Sequence, residues 1–237
     1  KNLLKIKKKP LIFWSIKKSL KSKKINFTWL SSDNPNILKT AQKFGANIIK
    51  RPKNISNDKA SSESAWQHAI DFIKKNYVID VVVGIQPTSP IRGNNDFDKA
   101  IKLYNKKKFD SLFSSTKIQD VNIWKYKKNN LVANYNFKKR KRRQDIVNNY
   151  LENGSFYIFN VKKFKKSNNR LFGKIGTYEM DKKYSFQLDD YVDLKTGGIE
   201  TEDSYTQEII FKYGDSIQFG FGDGQGGMLL SKRQNPY

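Results

Sequence analysis

Three short clusters in the chain hold the residue types from which a phosphate- or sugar-handling site can be built. The first is Gln86-Pro87-Thr88-Ser89-Pro90-Ile91-Arg92. Its amide and hydroxyl groups are neutral donors and acceptors, and Arg92 adds one planar cation. That combination can read a nucleotide or sugar by hydrogen bonds while holding a phosphate or carboxylate. The same residues also suit an ordinary turn ordered by its two prolines, and both readings stay open. The second cluster is Lys50-Arg51-Pro52 with Ala60-Ser61-Ser62. Serines at a helix start serve first as caps. Alternatively, their hydroxyls and the backbone amides of the positive helix end hold a ribose or base. The third is Phe186-Gln187-Leu188-Asp189-Asp190-Tyr191-Val192-Asp193. Asp and Glu total only 22 against 46 Lys and Arg, so paired aspartates stand out. Magnesium takes hard carboxylate oxygens and keeps waters and substrate phosphates as its other ligands, so one or two aspartates suffice. A helix cap ahead of Val192 and Leu194 is the plainer use of the same pair.

Other features carry less chemistry. The run Lys138-Lys139-Arg140-Lys141-Arg142-Arg143 is the place for nucleic-acid contact, since clustered cations neutralise phosphates, yet a solvated loop accounts for it as well. His68 lies within a helical segment with no second histidine in the chain, and no metal is assigned to it. The glycines at 214, 220, 222, 224, 226 and 227 fit no phosphate-binding template, because no Lys-Ser or Lys-Thr follows them.

Placing such clusters requires a sheet. Val78 to Ile85 is a short apolar, β-branched run, the composition of a strand buried on both faces in the middle of a parallel sheet. Two prolines end it, so the chain leaves at the strand's carboxyl end, where open α/β folds bind ligands. Upstream, Pro10 opens a helix with Leu11, Ile12, Trp14, Ile16 and Leu20 on one face. Strands are predicted at Phe27–Leu30 and Asn47–Ile49, and helices at Ile37–Phe44 and Ser61–Asn76. Downstream, a helix capped at Asn94 or Asn95 leads to a strand at Ser111–Ser115. Trp124–Tyr126 and Leu131–Ala133 read as a hairpin turning at Asn129-Asn130. Ser155–Phe159 is a strand and Val161–Lys166 a short helix. Alternating strands and helices argue a parallel sheet with right-handed crossovers.

The totals set limits. With 237 residues the chain can bury a full α/β core, and with no cysteine it has neither disulfides nor thiol chemistry. Apolar runs are too short to cross a bilayer, so a soluble, cytoplasmic protein is expected. The net charge of +24 attracts any polyanion without choosing among them.

In order along the chain, Lys1-Asn2, Lys9-Pro10-Leu11-Ile12-Phe13, Ser31-Ser32-Asp33, Gly45-Ala46, Arg51-Pro52, Ala60-Ser61-Ser62, Gln86 to Arg92, Arg142-Arg143-Gln144, Asn153-Gly154 to Ile158, and Asp189 with Asp193-Leu194 resemble the acylneuraminate cytidylyltransferases. These enzymes activate acidic nine-carbon and related sugars with CTP. The resemblance covers about residues 1–195, leaving 196–237 as a tail of open role. It implies a three-layer, Rossmann-like nucleotide-diphospho-sugar transferase fold with a mostly parallel sheet and a small dimerisation arm within 138–185. It implies a nucleotidyltransferase that joins CTP to a sialic acid or a relative, releasing pyrophosphate, with Mg²⁺ and as a homodimer. Membrane and nucleic acid are not expected partners. KDO, pseudaminic or legionaminic acid is the alternative substrate, and a basic nucleic-acid-binding protein is the alternative of another class.

By the same resemblance Asn2, Arg51, Ala60 and Ser62 contact the nucleotide. Gln86, Arg143, Gln144, Asn153 and Gly154 serve the sugar, and Asp189 and Arg143 are catalytic. Asp189 holds the metal. Gln187 stands where the family has the first aspartate of an Asp-x-Asp motif; it offers a carbonyl but no charge, which Asp190 would have to supply. The family's glycine-rich phosphate loop lies just ahead of the Lys-Asn pair, so impaired CTP binding and turnover are expected of this chain alone.

Overall fold

A computed structural model describes residues 2–57, 60–118, 122–146, 149–185 and 187–188. Strands β1 (Lys5–Ile6) and β2 (Lys9–Pro10) form a small antiparallel pair ahead of α1 (Leu11–Lys21). Pro10 sits just before the first helical turn, where its missing N–H costs nothing. Next come β3 (Trp29–Ser32), α2 (Pro35–Lys43) and β4 (Asn47–Lys50). The Asn34 side chain caps α2 by accepting from the N–H groups of Asn36 and Ile37, and Gly45, at φ +90°, releases the chain from it. Then α3 (Ser62–Ile73), β5 (Val81–Ile85), α4 (Asp96–Lys107) and β6 (Ser111–Ile118) follow. The hairpin strands β7 (Trp124–Lys127) and β8 (Asn130–Ala133) turn through Lys128 and Asn129, one residue earlier than expected, with Lys128 at φ 55°. Last are β9 (Asn149–Asn160), α5 (Val161–Ser167) and β10 (Ile175–Glu179), the last of which the sequence did not suggest.

The main sheet has the order β10-β6-β9-β5, and β3 and β4 pair separately in parallel. The expectation of a mostly parallel sheet is met in part, since β5, β6 and β10 share one direction and β9 alone is reversed. β9 runs antiparallel to both β5 and β6, and within this sheet only β10 pairs in parallel, with β6. The reason is the excursion through β7 and β8: the chain leaves the end of β6 and re-enters beside the same end, so it must run back. Correspondingly, β5 is not central. Among the described strands it pairs only with β9, and Val78 (94 % exposed) and Val81 (37 %) are not buried on both faces.

Helices cover both faces of the sheet, because β9 is apolar on both. Phe156 and Ile158 pack with Phe97, Ala100, Ile101 and Tyr104 of α4 on one side. Tyr157 and Phe159 pack with Ile70 of α3 and Val161 and Phe164 of α5 on the other. Ile12 and Ile16 of α1 meet Ala41 of α2 over β3 and β4. These contacts place the second half of β9 and α5 in the core. Exposed apolar residues of this half lie on and beside the hairpin, at Ile123, Trp124, Tyr126, Leu131, Val132 and Phe137, and also at Tyr150, Leu151 and Ile175 on β9 and β10. Among the described residues no helix is long and apolar enough to cross a membrane.

Candidate functional site

The carboxyl ends of β4 and β5 open into one cavity of about 990 Å³. Asn2, Arg51, Ala60, Ser62 and Gln86, five residues singled out from separate parts of the sequence, all line it. Each is half-buried, neither sealed in the core nor free on the surface. Arg51 follows β4, where its N–H donates to Ser32 O at 2.9 Å. Its Nε donates to Ser56 Oγ at 3.0 Å, and Ser56 Oγ in turn donates to Pro52 O. The guanidinium is thus held from one side, leaving its terminal nitrogens as the cation offered to a ligand. At the far side Ser61 is the cap of α3, its Oγ accepting from Ser64 N at 3.1 Å, and it lines the cavity beside Ser62.

The loop after β5 is held from below by Arg92. This side chain is 3 % exposed. Its Nε donates to Ser155 Oγ (2.8 Å), Nη1 to Ser15 Oγ (2.9 Å), and Nη2 to Gln86 O (2.7 Å) and Ser155 O (3.0 Å). It also lies over the Phe97 ring. Burial pushes the guanidinium down to about 9 and Asp96 opposes this, so it stays protonated at neutral pH. Arg92 therefore does not serve as a phosphate or carboxylate ligand; it pins the loop that presents Gln86. Its partner Ser15, on α1, carried no signal in the sequence beyond a small polar residue on an apolar helix face. Ser89, 1 % exposed, keeps an Oγ with no hydrogen-bond partner among the described residues.

A second cluster lies at Asn153 and Gly154. The register of β9 on β6 shifts between Phe113 and Ser115, and Asn153-Gly154 forms the resulting bulge, with Gly154 at φ +61°. Asn153 is 3 % exposed. Its Oδ1 accepts from Ser114 Oγ at 2.6 Å and from Ser155 N at 3.2 Å, while Nδ2 donates to Ser185 Oγ at 3.2 Å. Its polar atoms thus hold the bulge rather than face outward. Gln187 Nε2 donates to Asn153 O, and a Cβ on Gly154 would lie 2.1 Å from that nitrogen. Leu188, 2 % exposed, donates its N–H to Thr88 O at 2.7 Å. The segment leading to Asp189 is therefore tied to both the bulge and the Gln86 loop.

Asn153, Gly154, Gln144 and Gln187 do not line the 990 Å³ cavity. Gln144 is exposed in a 3-10 turn, Arg143–Asp145, and the Arg143 side chain lies outside the described part of the structure. Asp189, Asp190 and Asp193, and the tail 196–237, lie outside the described residues. Among those that are described, no three His, Asp or Glu side chains gather as a metal centre. Gln187 has its amide nitrogen committed to Asn153, so its carbonyl oxygen is the atom it offers a cation. The described residues do not by themselves make a magnesium site. His68 is half-buried with Nδ1 unpartnered among the described residues, rather than satisfied or at the surface.

A sheet with helices on both faces, and a cavity over the strand ends holding one arginine with amides and hydroxyls, define an open α/β protein with a polar cleft where such folds take ligands. Solved structures share the fold. A 4-diphosphocytidyl-2C-methyl-D-erythritol synthase from Anaerococcus prevotii superposes with a TM-score of 0.57 at 13 % identity, covering 82 % of this chain and 90 % of its own. A CMP:2-keto-3-deoxy-manno-octonic acid synthetase complexed with CTP gives 0.51 at 14 % identity, covering 92 % of each.

Residues 1–217 match the family model described as cytidylyltransferase, and the chain belongs to that family. It is 32 % identical over 188 residues to the N-acylneuraminate cytidylyltransferase of Oncorhynchus mykiss, covering 78 % of this chain and 42 % of the relative. Identity is also 32 % to N-acylneuraminate cytidylyltransferase A of Danio rerio, over 81 % of this chain and 45 % of the relative. It is 33 % to the pseudaminic acid cytidylyltransferase of Campylobacter jejuni, over 67 % and 70 %. The chain spans less than half the length of the two fish relatives.

Proposed function

We propose that this chain transfers a cytidylyl group from CTP to an acidic keto sugar of the sialic or pseudaminic acid class. The anomeric hydroxyl oxygen attacks the α-phosphorus, the bond to the bridging oxygen breaks, pyrophosphate leaves, and the hydroxyl proton passes to solvent. The observation that carries this reading is the convergence of Asn2, Arg51, Ala60, Ser62 and Gln86 on one cavity over the strand ends. Arg51 is the cation for the nucleotide, and the α3 amino terminus beside Ser62 adds its positive end. Gln86, with its carbonyl fixed by Arg92, presents its amide to the sugar. Arg143, Gln144 and Gly154 complete the sugar side, while Asn153 keeps the bulge in shape.

Asp189, next after the anchored Leu188, is the residue to hold Mg²⁺, with Gln187 and Asp190 beside it. When bound, that ion offsets negative charge at the phosphates. The exposed apolar face at Trp124, Tyr126, Leu131 and Phe137 suits a homodimer contact. A cytoplasmic site of action fits a nucleotide-using enzyme with no cysteine.

Calorimetric titration with CTP, UTP and ATP tests the nucleotide step without requiring turnover. CTP should bind in preference to the other two, and Arg51→Ala should weaken it about tenfold, the loss of one charged hydrogen bond. Equal binding of all three nucleotides, or no change in Arg51→Ala, overturns the reading. Pyrophosphate release with N-acetylneuraminic, pseudaminic, legionaminic and KDO acids then identifies the sugar.

A further inference from the structure

The first turn of α3 brings Ser62 to the cavity, and Trp66 follows it there one turn later. Glu63, between them, does not line the cavity. Its carboxylate is met instead by Arg170, which lies in the connection between α5 and β10, 107 residues further along the chain. The guanidinium holds it by two bonds, Nε donating to Oε1 at 2.6 Å and Nη2 to Oε2 at 3.0 Å. A planar fork fixes direction as well as distance, which a single ammonium contact does not. The Arg170 and Glu63 side chains are only 24 % and 14 % exposed, so the pair is less screened and less free to swing than one on the surface.

Arg170 is itself held. Its guanidinium lies over the Trp66 ring, 5.1 Å from the centroid, and over the Tyr157 ring at 4.8 Å. Tyr157, 3 % exposed, belongs to β9, and its hydroxyl donates to Glu152 Oε1. Glu152 directly precedes the Asn153-Gly154 bulge. Glu63, Arg170, Tyr157 and Glu152 thus form one chain of contacts from the helix turn beside Ser62 to the strand beside Gly154, and none of the four lines the cavity. The first turn needs such a tie. Its amides have no partner within the helix beyond the cap, and of the residues of α3 only Ile70, in the second half, is buried.

We propose that Arg170 is a positioning residue for the nucleotide: it braces the first turn of α3 against β9 and so sets where Ser62 stands in the cavity. It acts through Glu63 and Trp66 and does not touch the ligand. The ligand named here rests on the cytidylyltransferase reading, whereas the brace can be measured without one.

Amide hydrogen exchange read by NMR does so. Ser64 N and Ala65 N, which donate to Ser61 Oγ and Ser61 O, report on the first turn. Lys74 N, which donates to Ile70 O, reports on the far end, and the β9 amides report on the core. Arg170→Met keeps an unbranched stem over both rings and removes the fork. It should speed exchange at Ser64 and Ala65 about tenfold while Lys74 and β9 stay as they are. Calorimetry at a temperature where every variant is folded should show CTP bound about tenfold more weakly. Arg170→Lys restores the charge without the fork and should recover both losses to within about threefold of the parent. Glu63→Met should match Arg170→Met, and the double variant should bind CTP no more weakly than either, because both break one contact.

Unchanged exchange at Ser64 and Ala65 in Arg170→Met overturns the brace. Faster exchange throughout α3 and β9 overturns it too, since Arg170 would then only support the fold. A loosened turn with CTP affinity unchanged overturns the link to the nucleotide, and additive losses in the double variant exclude the pair as its route. A parent that binds no CTP overturns the cytidylyltransferase reading and with it the ligand named here, while exchange at Ser64 and Ala65 still decides the brace.

Discussion

Replacing Arg92 with alanine separates a loop pin from a ligand contact, because the two roles move stability in opposite directions. A cation buried to await a phosphate burdens the fold, so its removal stabilises or does nothing. A pin is the reverse. Arg92 makes four hydrogen bonds, each contributing about 1.5 kcal/mol as a bond to a charged donor, together roughly 6 kcal/mol. Burial takes back part of this. A guanidinium held down to about 9 from 12.5 has given up about 4–5 kcal/mol at 1.36 kcal/mol per unit. Loss of the stem packed on Phe97 adds about 2 kcal/mol for the void. The net expectation for Arg92→Ala is about 3 kcal/mol of destabilisation. For a chain of this size that is a fall in thermal midpoint of roughly 6–12 °C.

Urea denaturation measures this directly, and a double-mutant cycle with Ser155→Ala refines it. Ser155 Oγ is the acceptor for Nε, so the two substitutions should be less than additive by about 1 kcal/mol. Gln86 O and Ser155 O remain partly satisfied without Arg92, through Ser89 N and Gln86 N, so the fold should survive the change. A stability equal to or above that of the parent, with a loss confined to nucleotide affinity, would refute the reasoning.

Three further outcomes follow from single residues. Gly154→Ala should destabilise by about 1–2 kcal/mol in urea, since the φ of +61° disfavours a side chain and the Cβ would displace Gln187; an unchanged midpoint would mean the bulge relaxes freely. Gly84→Ala should cost about 2–3 kcal/mol, because its Cβ would stand 2.6 Å from the Trp66 ring in a packed layer, and a smaller loss in the background Trp66→Phe would confirm the clash. Glu63 carries the pH prediction. Burial pushes its carboxyl up, but the two-pronged bond from Arg170, 2.6 and 3.0 Å, outweighs this and holds it below its ordinary 4.5. A depressed folded value means that this contribution is present above pH 4.5 and is lost as the pH falls through the folded value. The stability gap between the parent and Glu63→Gln should therefore narrow on acidification, and a gap constant from pH 7 to pH 3 would exclude the pair as its source.

Much of the local structure was legible in the chain itself. Pro10, Asn34, Gly45 and Ser61 punctuate helices by rules that act within a few residues, and each marks a boundary where the structure has one. The Trp124 to Ala133 hairpin was visible in its alternation. The residues Asn2, Arg51, Ala60, Ser62 and Gln86 could be named because ordered motifs mark them, although nothing in their spacing showed that they share one cavity.

What the sequence could not determine is whatever depends on partners far along the chain. An apolar β-branched run such as Val81–Ile85 has the same composition whether it is flanked by two strands or by one, so its position at the edge of the described sheet was decided by pairing alone. Direction along the sheet was hidden for the same reason, since β9 runs antiparallel because of where a thirty-residue excursion returns and not because of its own residues. Arg92 makes the point most sharply. An exposed and a buried arginine are the same letter, and only the approach of Ser15 and Ser155, 77 and 63 residues away, turns a candidate ligand into the anchor of the loop.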